Sequence, residues 1–231
     1  MLRVRLIPTL LLKEGRMIKT KQFDSWRDVG NPTTVAKVYD AQKADELVFL
    51  DITATVEKRQ ILLDIISAVA EECFMPLTVG GGIRTVEQAH DLLQHGADKI
   101  ALNTAAVENP SLVSEISKKF GRSTVVVSID YKTNAAGRNE VFIERGRTAT
   151  GLDPVAWVKK VEELGAGEIL FTCIEREGMM KGYDITTIRA AAQASTIPII
   201  AHGGAGTIQD FVDGIVEGRA SAVAAASIFH F

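Results

Sequence analysis

Two glycine pairs carry the residue types that anion chemistry uses. VGGGIRT (79–85) and HGGAGT (202–207) each close an apolar run just ahead of a helical pattern. A glycine turn lets backbone N–H groups approach an anion, and the helix start behind it favours negative charge. LNTAA (102–106) and AASI (225–228) end the neighbouring runs, so Asn103, Thr104, Ala226 and Ser227 can complete cups around Gly82 and Gly204. One Gly-Gly pair is also an ordinary tight βα turn. Two at equivalent places favour two phosphate sites and a ligand with two anionic ends.

Proton chemistry points to a second set. VVVSIDYK (125–132) reaches Asp130, and Asp51, Thr172, Glu175 and Glu177 stand at or just beyond other run ends. A carboxylate in such a place acts as general acid or base. Asp51 and Glu175 can equally orient a Lys or Arg, and Glu175 and Glu177 can be solvated loop acids. The similar run VRLIPTLLLK (4–13) carries Leu11 and no acid. Lys19, in KEGRMIKTKQF, reads either as a lid residue holding a phosphate or as an exposed loop lysine.

The elements that position these residues alternate along the whole chain. Short apolar runs begin near Arg3, Glu46, Met75, Asp98, Thr124, Gly167, Ile197 and Ser221. Helical patterns cover 32–43, 57–73, 85–96, 110–120, 153–165, 184–195 and 207–217. Pro32, Pro110 and Pro154 fall in helix first turns, where a missing N–H costs nothing. Gly96, Gly165 and Gly218 follow helix ends. Eight runs with helices between them in 231 residues predict an α/β (βα)₈ TIM barrel forming one domain over 1–231. Residues 131–147 are predicted to form a small inserted hairpin. The final covering helix is missing from the sequence given; leaving that barrel face bare would expose an apolar patch, so a truncated chain or a further tail is expected.

An internal repeat runs through this pattern. Residues 80–106 match 202–228 at constant offset, with Gly81, Gly82, Thr85 and Gly96 falling on Gly203, Gly204, Thr207 and Gly218. The natural reading is a twofold barrel. Allowing a small length difference, Leu11 falls where the other half has Asp130.

At the opposite ends of the runs, Arg5, Glu46, Lys99 and Glu168 each stand at a strand entrance. Pointing inward, they form a neutral ring at the barrel floor, which hydrogen bonds can make tolerable. Pointing outward, they are four surface residues, the usual fate of charge.

Bulk properties narrow the classes. Apolar residues make up 46% and charged residues 24%, enough for a large core, and the net charge of −3 with no basic run argues against nucleic acid. No apolar stretch nears the roughly 18 residues of a membrane span, so no membrane is expected. The chain opens inside a strand without a leader pattern, and Cys73 and Cys173 lack metal-ligand spacing. A cytoplasmic protein with reduced thiols, no metal and no cofactor is expected.

IPTLLLKEGR, DELVFLDITA, PLTVGGGIR, GADKIALN, GLDPVAW, EELGAGEIL and IFHF together resemble HisF, the cyclase subunit of imidazole glycerol phosphate synthase, over essentially the whole chain. The resemblance implies a twofold barrel that partners a HisH-like glutaminase as a heterodimer. Ammonia passes through such a barrel to the top face and meets a bisphosphorylated substrate, which is then cyclised. It implies one phosphate site at Gly82, Asn103 and Thr104. It implies a second around Thr172, Gly178, Gly204, Ala226 and Ser227, with Glu177 nearby. Lys19 and Asp51 match positions at the active mouth, and Asp130 matches one of two catalytic aspartates. Arg5, Glu46, Lys99 and Glu168 match an ammonia gate, and Asp98 matches a position facing the glutaminase.

The departures are specific. Leu11 stands where the family has its first catalytic aspartate. Glu175 and Glu177 replace shorter aspartates, and His202 replaces a small hydroxyl residue. A retained gate with a lost acid resembles the HisF-like paralogues of acetamidino-sugar modification, where ammonia serves a separate synthetase and the ligand is a sugar phosphate. The histidine-pathway cyclase and a non-catalytic scaffold that activates the glutaminase are the alternatives.

Overall fold

A computed structural model describes residues 4–54, 57 and 63–229. The run start at Arg3, most of 57–62 in the second helical pattern, and the last two residues of IFHF lie outside the described residues.

The first strand, β1 (Arg5–Lys13), runs on into an antiparallel hairpin of β2 (Arg16–Lys21) and β3 (Ser25–Gly30). There follow α1 (Pro32–Ala41), β4 (Leu47–Asp51), α2 (Leu63–Ala70), β5 (Leu77–Gly80), α3 (Val86–Gln94), β6 (Lys99–Leu102), a short α4 (Thr104–Glu108) and α5 (Ser111–Phe120). The second half holds β7 (Val125–Thr133), the added strands β8 (Asn139–Ile143) and β9 (Thr148–Ala149), then α6 (Pro154–Leu164) and β10 (Glu168–Cys173). It continues with α7 (Ile185–Ala194), β11 (Ile199–His202), α8 (Ile208–Val216) and β12 (Ala222–Ala225).

Eight of these strands are parallel neighbours in the order β10, β11, β12, β1, β4, β5, β6, β7, and β7 closes on β10. This is a (βα)₈ barrel, as the alternation predicted. Its eight strand starts lie within two residues of the expected ones. Local chemistry explains the boundaries. Pro32 and Pro154 open α1 and α6 behind the side-chain caps Asn31 and Asp153. Pro110 instead occupies the cap position ahead of α5, because Ser111 is the first helical residue. Thr85 and Thr207 cap α3 and α8 at repeat-equivalent places.

Strand parity builds the interior. Alternate residues face opposite sides of a strand, so Leu10 and Leu12 join the layer under the helices while Ile7 faces the barrel axis. Ile7, Val48, Ala101, Val126, Leu170, Ile200, Ala222 and Ala224 form one axial cluster. Two residues below them in the strands come Arg5, Glu46, Lys99 and Glu168. Two or four above come Leu11, Leu50, Asn103, Ser128, Asp130, Thr172, His202 and Ala226. The same parity therefore sets a charged floor, an apolar middle and a polar mouth.

The inserted hairpin appears where expected, but β7 continues past Asp130 to Thr133 because β8 pairs with it. The long segment that follows the first run, KEGRMIKTKQF, supplies β2 and the turn into β3. Ile208, Val212 and Val216 lie exposed along α8, one turn apart.

Candidate functional site

The mouth pocket is lined by Leu11, Asp51, Gly81, Gly82, Asn103, Thr104, Ser128, Asp130, Arg145, Thr172, Glu177 and His202, among others. The first predicted cup opens into it, and the second lies in a separate small recess that shares Glu177 and His202 with it. Gly81 turns at φ +124°, and a Cβ there would overlap the Asp51 carbonyl. Gly204 turns at φ +123°, and a Cβ there would overlap the Gly182 carbonyl. Only glycine fits either turn. Gly82, Asn103 and Thr104 face the first cup; Gly178, Gly204, Ala226 and Ser227 line a second small recess with Glu177 and His202.

Asp130 holds the centre. It accepts from Asn103 Nδ2 at 3.1 Å and from Ser128 Oγ at 3.3 Å. Burial, with repulsion from Glu177, raises its carboxyl from the ordinary range to about 7, against the lowering effect of bonds from Ser128, Thr172 and Asn103. Such a group gives and takes a proton near neutrality. Register places Thr172 beside Asp130 on one side and beside His202 on the other. Thr172 Oγ1 lies 3.1 Å from His202 Nδ1. Burial lowers His202 to about 4, so the ring is neutral at physiological pH.

Across the barrel, four strands away in either direction, stands Leu11. It is 5% exposed and lines the pocket wall. No proton can be exchanged there.

The remaining acids separate. Asp51 is buried and accepts from the backbone of Thr53 and Ala54, closing its own turn. Glu177 is buried and accepts from Thr20 Oγ1 at 3.0 Å and Phe23 N at 3.2 Å. It thereby pins the hairpin of β2 and β3 over the mouth, and burial raises its carboxyl. Glu175 does not share this face: it is exposed and bonds Thr133 of the inserted hairpin. Lys19 is a buried strand residue opening into a side groove with Lys21, Trp26 and Arg27, rather than an exposed loop lysine. Burial first, then Arg27 and Lys21, lowers its ammonium.

The floor ring is formed. Arg5 Nη1 contacts Glu46 Oε2 at 2.7 Å and Glu168 Oε1 at 3.0 Å. Lys99 Nζ contacts Glu46 at 3.0 Å and Glu168 at 3.2 Å. Thr78 Oγ1 donates to Glu46 at 2.8 Å. The charges face inward, which the sequence left open. Just above, in the wall between Ile7 and Leu11, the buried Thr9 hydroxyl makes no hydrogen bond among the described residues. Asp98 is exposed beside this floor and accepts from Leu77 N.

Arg145 went unread in the sequence. It sits at the turn of the inserted hairpin with φ +61°, and in sequence that hairpin resembled plain surface. A basic tip, ERGR, following a strand that ends at the mouth was the available signal.

A family model described as "Histidine biosynthesis protein" matches residues 5–231. The chain is 48% identical to imidazole glycerol phosphate synthase subunit HisF of Alkaliphilus metalliredigens (strain QYMF), over 231 residues that are all of this chain and 92% of that protein.

Proposed function

The chain belongs to the HisF family of histidine biosynthesis proteins, and from that premise we propose that it is the ammonia-receiving barrel of a glutamine amidotransferase whose acceptor reaction takes place on a separate synthetase. The observation that carries this reading is the pairing of an assembled floor ring with an apolar mouth wall. Arg5, Glu46, Lys99 and Glu168 pair with one another at the barrel floor, while Leu11 stands at the mouth across the barrel from Asp130.

Glutamine hydrolysis by a HisH-like glutaminase docked beside Asp98 supplies ammonia at the floor. A ring of balanced charge opens by trading partners, since each acid has two cations to choose between. Above it, ammonia meets the apolar axial cluster, where Ala101, Ala222 and Ala224 contribute small side chains, with the Thr9 hydroxyl as one polar contact. A neutral ammonia molecule crosses such a wall more readily than ammonium, whose desolvation is far costlier. At the mouth, Asp130 takes or holds a proton at the arriving nitrogen. The Gly82 and Gly204 cups, completed by Asn103, Thr104, Ala226 and Ser227, hold the phosphates of a sugar-phosphate or bisphosphate ligand. Lys19 and Asp51 orient the hairpin and the turn around it. The complex works in the cytoplasm, and the product is an acetamidino sugar.

A test uses glutamine labelled with ¹⁵N in its amide. Glutaminase, this barrel and an N-sugar amidotransferase from the same gene neighbourhood are combined with the acceptor sugar. Label should enter the product only when the barrel is present. Equal incorporation without the barrel overturns the reading.

The histidine-pathway cyclase is the second reading. The 48% identity along the entire chain to a subunit bearing that name favours it.

A further inference from the structure

Arg145 is the one Lys or Arg among the described residues lining the mouth pocket, which also holds Asp51, Asp130 and Glu177. A half-buried guanidinium with no ion-pair partner among the described residues needs a reason. Its Nε is buried and makes no hydrogen bond among the described residues. Among the described residues its Nη2 reaches only the Phe23 carbonyl, at a long 3.4 Å. No carboxylate among the described residues lies within ion-pair distance, and Asp24 and Glu57 act on it only through space. Burial and the neighbouring Arg147 disfavour its charge.

The backbone holds Arg145 there at some cost. Its φ of +61° is uncommon for a residue with a side chain. Next to it, the Glu144 N–H donates to Thr104 Oγ1 at 3.1 Å. This bond joins the tip of the inserted hairpin to the first glycine cup, where Gly82, Asn103 and Thr104 carry no formal positive charge and the Asn103 and Thr104 side-chain donors are engaged by Ser128, Asp130 and Asn103. On its other side, Phe23 belongs to the turn that Glu177 pins over the mouth.

We propose that Arg145 is a ligand-binding residue of the first cup, supplying the guanidinium that pairs with a phosphate monoester seated against Gly82, Asn103 and Thr104. A guanidinium offers two parallel N–H bonds to a phosphate, stronger than neutral ones and selective for its geometry. Ligand entry replaces the long contact to the Phe23 carbonyl with that fork and gives the idle Nε a partner. The tips of both hairpins are then tied to the ligand, which closes the mouth on one side. The inference rests on the cups being phosphate sites, and it stands apart from the ammonia route.

The test follows backbone amide shifts by NMR while inorganic phosphate is added to the whole chain. In the wild type, amides of Gly82, Asn103 and Thr104, and those of Gly204, Ala226 and Ser227, should shift and saturate. In Arg145→Gln, the first group should need at least about tenfold more phosphate, about 1.4 kcal/mol, while the second group saturates as before. The unchanged second cup reports that the fold is intact. Arg145→Lys should fall between. Saturation of the first cup within twofold of wild type in Arg145→Gln overturns the inference, as does a wild type whose first-cup amides never move. Neither result bears on whether labelled ammonia needs the barrel.

Discussion

Removing Lys99 tests the floor ring by its energetics. The ring holds two cations and two acids, with Glu46 2% exposed, Glu168 14%, Lys99 15% and Arg5 26%. Lys99→Met keeps the bulk of the stem and deletes one positive charge. Glu46 is left with Arg5 and the Thr78 hydroxyl, and Glu168 is left with Arg5 alone. Breaking a fully buried pair costs about 3–5 kcal/mol. Here each acid keeps a partner and one side of the ring touches solvent, so about 2–3 kcal/mol is expected. Adding Glu168→Gln restores neutrality around Arg5 and Glu46, and the double variant should recover about 1–2 kcal/mol of the summed losses. Urea unfolding at pH 7 measures all four corners of the cycle. In the complex, the same single variant should hydrolyse glutamine while delivering less nitrogen to product. A loss under about 0.5 kcal/mol, strictly additive with Glu168→Gln, would refute the claim that these charges act as one buried ring.

Other expectations follow from the mouth. Leu11→Asp places a carboxylate at a buried wall position, so stability at pH 7 should drop by about 1–3 kcal/mol, read by urea unfolding; an unchanged midpoint would mean the wall is open to water. Asp130 is raised to about 7, so its stabilising proton is lost as pH rises from about 4 to about 7, whereas His202 is lowered to about 4, so its contribution is lost as pH falls from about 6.5 to about 4. The two slopes oppose each other, and His202→Ser should raise stability at pH 5 relative to pH 7 by about 2 kcal/mol more than in the wild type; parallel pH curves for the two proteins would contradict the burial of a neutral ring. Gly204→Ala sets a Cβ against the Gly182 carbonyl at φ +123°, so its second-cup amides should no longer respond to phosphate in the NMR titration, and a normal response would show that the turn yields.

The barrel was legible because alternation and caps act locally. Pro32, Pro154, Thr85 and Thr207 announce helix starts, and apolar runs between them have one closed arrangement that buries both faces. Parity then places Asp130, Thr172 and His202 on the inward face once the strands are known. What the sequence withheld was whatever depends on pairing across the chain. Inward and outward orientations of Arg5 and Glu168 look alike in sequence; only the closure of β10 onto β7 brings Glu168 to Arg5, 163 residues away. The hairpin of β2 and β3 was hidden because RMIKTK mixes apolar and charged residues without a glycine turn, its corner being taken by Gln22 and Phe23 at positive φ. Glu175 and Glu177 stand two residues apart in one loop, yet one faces solvent and the other supports the lid, since the chain turns between them. Arg145 escaped notice because its role depends on where that hairpin lands.

The most direct measurement of the central claim is a cyclisation assay on the purified barrel with ammonium salt and the bisphosphorylated imidazole-pathway substrate. A missing general acid–base group costs roughly 10²–10⁴ in rate, and Asp130 serves one side of the pocket while Leu11 stands on the other. Turnover at least about a hundredfold below that of an authentic HisF cyclase is therefore expected, with or without a glutaminase. Turnover within about tenfold of it, about 1.4 kcal/mol of barrier, would contradict the account and return this chain to histidine synthesis.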